Sequence, residues 1–169
     1  GKIENCNITN TSADGQNHDS TYVSGATNGG ALMGMNRLGI ITIKNVNLKS
    51  TKEEPDFVFA TNTASTGIGY SGYALNVDNF NVDGYQYKAG TGNTQISGVV
   101  SILLNSLELR NSNLTNLKFD TTSNTATIVN YNSGNLIADN LNIKNIDMKN
   151  TQTGFVSGFT NLVAGALKL

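Results

Sequence analysis

The chain has 169 residues, of which 38% are hydrophobic and 14% charged, with a net charge of −1. This balance fits one domain with a real core and excludes disorder and a basic polyanion-binding surface. One cysteine and one histidine exclude a disulfide framework and a cysteine metal cluster, while 26 Asn beside 18 Gly fit tight turns or stacked amides.

In chain order, the pattern Asn, any residue, Asn, apolar residue occurs five times: Asn5 to Ile8, Asn45 to Leu48, Asn79 to Val82, Asn111 to Leu114 and Asn140 to Ile143. Successive copies start 40, 34, 32 and 29 residues apart. Two positions before the first Asn stand Ile3, Ile43, Val77, Leu109 and Ala138, which read as the inward face of a strand. After that Asn the apolar positions shift by one, as in a strand that meets a corner. Asn tolerates the left-handed backbone such a corner needs. The first column (Asn5, Asn45, Asn79, Asn111, Asn140) is therefore assigned to corners. The second (Asn7, Asn47, Asn81, Asn113, Asn142) is assigned to an outward amide ladder.

The residue before each first Asn runs Glu4, Lys44, Asp78, Arg110, Asp139. Stacked as parallel rungs about 4.8 Å apart, each charge faces opposite charges above and below. Each rung of 29 to 40 residues is then one turn of a parallel β-solenoid with three short strands. Phe57 to Phe59, Val99 to Leu104 and Thr127 to Val129 supply further strands. An antiparallel sandwich explains alternating strands and turns but not the charge column. The expectation is a single all-β domain over 1–169 with about five rungs, a segment of a longer repetitive protein because the pattern runs off both ends. Val23 to Asn28 recurs as Val156 to Asn161, about four rungs later.

Between the rungs lie the candidates for chemistry. Cys6 fills the position of Val46, Phe80 and Leu141, which makes it core filler. His18 and Asp19 in ADGQNHDS suggest a polar contact loop without enough ligands for a metal. Glu53, Glu54 and Asp56 beside the only proline fit an exposed turn better than the two facing acids of glycoside chemistry. Tyr85, Tyr87 and Lys88 in DGYQYKAGTGNTQ could stack on sugars or anchor a protein partner. The sequons at Asn7, Asn10 and Asn113 are expected by chance in so Asn-rich a chain. No run of about 20 apolar residues would cross a bilayer.

Gly29-Gly30-Ala31-Leu32 followed by Ile41-Thr42-Ile43 resembles the GGA[ILV] repeats of polymorphic outer-membrane proteins and autotransporter passengers. Gly29 to Asn36 with Gly39 and Ile41 is also similar to the GLUG repeats of secreted bacterial proteins, and Ile128 to Gly134 resembles the same pattern. Both resemblances imply an extracellular right-handed β-helix at a bacterial surface and supply no catalytic residue. The expected function is a non-catalytic adhesin segment, without a cofactor, whose loops contact a host or bacterial surface protein or a glycan. Nucleic acid and direct membrane insertion are not expected. Alternatives are a polysaccharide lyase, hydrolase or tailspike segment, and a spacer or filament subunit that self-associates through its rung ends.

Overall fold

The computed structural model describes residues 1–10, 23–25, 27–50, 57–60, 62–89, 95–121, 124–150 and 154–169. All strand pairing among them is parallel and falls into three sheets. Sheet A contains the motif strands Lys2–Asn10, Ile41–Ser50, Leu75–Asp83, Leu107–Thr121 and Leu136–Asn150, followed by Leu167–Lys168. A second limb of the same sheet holds Val23–Gly25, Phe57–Ala60 and Gln86–Ala89. Sheet B stacks Asn28–Gly30, Thr63–Ser65, Gln95–Ser97, Asn124–Ala126 and Val156–Ser157. Sheet C stacks Met33–Asn36, Ile68–Ser71, Val100–Leu103, Val129–Asn132 and Thr160–Val163. The chain passes from A to B to C and back, giving a β-solenoid of about four turns. Five copies of the motif bound four complete turns, which reconciles five motif strands with that count.

The register matches the sequence columns. Glu4 pairs with Lys44, Lys44 with Asp78, Asp78 with Arg110, and Arg110 with Asp139. All five first asparagines have positive φ, between 51° and 56°. They are the left-handed corners at which the strand turns and its inward parity changes. Their amides form a ladder: Asn45 Nδ2 donates to Asn5 Oδ1 at 3.0 Å, Asn79 to Asn45 at 3.0 Å, and Asn140 to Asn111 at 2.8 Å. One step deviates, because Asn111 Nδ2 donates to Asp78 Oδ1 at 2.8 Å. The outward ladder runs unbroken, with Asn47 donating to Asn7, Asn81 to Asn47, Asn113 to Asn81 and Asn142 to Asn113.

A second corner follows five residues later. Asn116 and Asn145 have φ of 55° and 53°, and Asn145 Nδ2 donates to Asn116 Oδ1 at 2.9 Å. In the preceding turn Gly84 occupies this corner at φ 80°, where an added Cβ would lie 2.3 Å from Ser50 O. The last two motif strands run continuously through the corner for 15 residues each. Earlier turns are interrupted there, and this accounts for most of the longer rung spacing near the N-terminus.

The interior is filled rung upon rung by Ile43, Val77 and Leu109 before the first corner and by Leu48, Val82 and Leu114 after it, each at most 2% exposed. Beyond the second corner Tyr87 stacks on Phe119, with ring centroids 4.4 Å apart and 6° between planes. Thr66 donates its hydroxyl hydrogen to Gly98 O, so the Tyr87 hydroxyl donates to Thr66 Oγ1, at 3.0 Å. Cys6 packs against the core at its motif position, with Sγ 3.4 Å from Glu4 O.

The repeated VSG…TN segments are not structural equivalents. Val23–Gly25 pairs with Val58 to Ala60 in sheet A, whereas Val156–Ser157 pairs with Thr125 and Ala126 in sheet B. Following the register up the stack, Val156 corresponds to Gly29. Loop lengths that vary from turn to turn shift the echo onto different sheets.

Candidate functional site

Charge is segregated by sheet. Every described Asp, Glu, Lys and Arg except Arg37 lies on a strand of sheet A. There several charges pair by register: Lys49 with Asp83, Lys118 with Asp147, and Asp120 with Lys149, besides the column already described. Arg110 reaches Asp139 at 3.4 Å and Glu108 at 3.6 Å, and Lys49 lies 3.8 Å from Asp83. The strands of sheets B and C contain no charged residue.

Sheets B and C meet at an angle, and one register column of sheet C makes contacts across it. Between the column of Met33, Ile68, Val100, Val129 and Thr160 and that of Met35, Tyr70, Ile102, Tyr131 and Leu162 stand Gly34, Gly69, Ser101, Asn130 and Asn161. At the N-terminal end, backbone fills the angle: a Cβ on Gly34 would lie 2.7 Å from Asn28 O, and one on Gly69 would lie 2.7 Å from Gly34 O. Ser101 donates across the angle to Ala64 O. Farther along, whole amides occupy it. Asn130 Nδ2 donates to Asn124 O, and Asn161 Nδ2 donates to Asn130 Oδ1 at 2.7 Å and Thr125 O at 3.0 Å. The column thus grows from Gly to Asn along the axis, and at its larger end the contact between the sheets is made by side-chain amides.

At that end a groove of about 610 Å3 opens between the sheets. One wall carries Ile102, Tyr131 and Leu162 on three successive rungs of sheet C. The opposite wall carries Gln95, Asn124 and Phe155 from the sheet B side, and Asn130 and Asn161 form the floor. The apolar wall extends beyond the groove along the same register, through Tyr70 to Met35. Met35 and Leu162 are 37% and 51% exposed, and Tyr70, Ile102 and Tyr131 are half-buried. The result is an uncharged surface on which apolar and aromatic faces run beside carboxamides.

The residues singled out in the sequence lie elsewhere. Tyr85 and Tyr87 are core side chains, 4% and 0% exposed, so they are not surface contacts. The alternation after the corner turns them inward, and burial pushes the Tyr87 hydroxyl above the ordinary tyrosine range. Lys88 lies on the Gln86–Ala89 strand. His18, Asp19, Glu53, Glu54 and Asp56 lie outside the described residues. All ten ladder asparagines occupy sheet A strands. Among the described residues no cluster of three or more His, Cys, Asp or Glu could hold a metal.

Sequence reasoning missed the B–C face, although a signal was present. Gly29 to Asn36 and Ile128 to Gly134, both likened to GLUG repeats, do fall in register, because Met33, Ile68, Val100, Val129 and Thr160 form one column. Aligning the intervening segments would have exposed the Met35–Tyr70–Ile102–Tyr131–Leu162 stripe. Compared with protein-family models, with curated proteins and with solved structures, the chain matches none.

Proposed function

We propose that this chain is a non-catalytic β-solenoid segment of a secreted or surface-attached bacterial protein, an adhesin, acting at the cell exterior. The segregation of charge carries the reading. Sheet A couples successive turns through amide ladders and opposite-charge columns, which suits a stiff rod. The strands of sheets B and C offer an open surface without a charged residue, which suits contact with a surface protein or glycan. A groove lined by carboxamides and apolar side chains supports binding over acid–base cleavage, which draws on a pair of facing acids. No cofactor enters this mechanism.

Beads coated with the chain test it. They are expected to adhere to bacterial or host cells, or to glycan-coated surfaces, more strongly than albumin-coated beads. Adhesion no better than albumin on every surface overturns the proposal.

A further inference from the structure

We infer that the groove between sheets B and C binds an uncharged polysaccharide lying along the solenoid axis. The inference rests on the adhesive reading above and names the ligand class of that surface. Three features converge on this occupant.

The first is charge. No residue on the strands of either sheet is ionisable as an acid or base of the Asp, Glu, Lys or Arg type, while 11 Lys and Arg and 12 Asp and Glu are present in the chain. An anionic glycan, a nucleic acid or a charged peptide would find no counter-charge on these strands. A neutral chain of hydroxyls matches them.

The second is the pairing of chemistries across the groove. Tyr131 with Ile102 and Leu162 forms one wall, and Gln95 with Asn124 lies on the other. Sugar rings present apolar C–H faces and a rim of hydroxyls, which call for an aromatic or aliphatic platform beside groups that both donate and accept. Carboxamides do both, and tyrosine joins a large apolar face to a polar end.

The third is repetition. Each wall advances one residue per rung, about 4.8 Å, and Tyr70 and Tyr131 occupy the same column two rungs apart, roughly 10 Å along the axis. A periodic ligand can meet equivalent groups at each step, whereas a folded protein surface has no such regularity. The Gly-to-Asn gradient in the floor makes the C-terminal half, around Tyr131, the entry point.

Affinity electrophoresis of the whole chain through gels containing neutral polysaccharides (glucans, mannans, xylans) or anionic ones tests this. At least one neutral polysaccharide should retard the chain, equally at about 0.05 M and 0.5 M salt, because no ion pair is screened. Tyr131→Ala should weaken retardation about tenfold, Tyr131→Phe should keep most of it, and Arg110→Ala on sheet A should leave it unchanged. Circular dichroism of each variant establishes that it is folded. Retardation by none of the neutral polysaccharides, retardation that vanishes with salt, or unchanged retardation of folded Tyr131→Ala overturns the inference. So does a dimer in sedimentation that Tyr131→Ala dissociates, since the groove would then be an interface between copies. Beads that adhere while no neutral polysaccharide binds overturn this inference and leave the adhesive reading standing.

Discussion

Sheet A and the B–C face are made in the same turns of one chain, yet they solve different problems. On sheet A each turn is tied to the next through its outer side chains: two asparagine columns, a column of alternating charge, and left-handed corners at fixed positions. On the B–C side the outer column is Met, Tyr, Ile, Tyr, Leu, with no charge, and the tie between turns lies in the angle beneath it. Stacking forces every turn to place like beside like. A charged column is tolerable only if its sign alternates, whereas an apolar column can repeat freely. Sheet A therefore fixes register, and the B–C face is left available for contact.

Substitutions can break this contrast, beginning with the largest effect. Phe119→Ala removes the ring stacked on Tyr87 under the second limb of sheet A; urea unfolding should show a loss of about 3–5 kcal/mol. Asn45 tests corner and ladder separately, because it sits at φ 52°, donates to Asn5 and accepts from Asn79. Asn45→Gly keeps the corner and forfeits only the amide bonds, so Asn45→Ala should be less stable than Asn45→Gly by about 1 kcal/mol. Equal stabilities would mean that the corner carries no conformational cost.

Alkaline pH probes the sheet A core. The folded-state pKa of Tyr87 is raised by burial above its unfolded value, so the unfolded chain loses the proton first. Its contribution is complete below about pH 10 and is lost above it, by up to about 1.4 kcal/mol per pH unit. Denaturation at successive pH values should show this decline, and Tyr87→Phe should flatten it. Tyr131→Ala, on the open stripe, should cost about 1 kcal/mol or less; a loss like that of Phe119→Ala would mean the stripe is structural. Smallest of all is Arg110→Glu, which places a third acid in line between Asp78 and Asp139. Its side chain is 42% exposed, so the cost should stay below about 1 kcal/mol and shrink in high salt.

What could be read before folding follows from periodicity. The motif strands, their inward columns and the first asparagine corner were legible because all five copies keep them. The second corner was harder to see: Asn116 and Asn145 mark it in the last two motif strands, but Gly84 stands there earlier. Tyr85 and Tyr87 looked like contact residues because they lie among glycines and polar residues. Their inward direction depends on that corner, which a local reading of DGYQYK does not reveal. The VSG…TN echo misled for a related reason, since identical letters fall on different sheets once intervening lengths differ.

By itself, then, the sequence determined that turns would stack and where: alternating charge and repeated Asn are stable only in direct register, so a local code specified a long-range arrangement. Only the tertiary structure decided which outer columns remain open. That depends on how two sheets meet, and the contacts between B and C run through a graded column of Gly, Ser and Asn that is assembled only after three sheets have closed around one core.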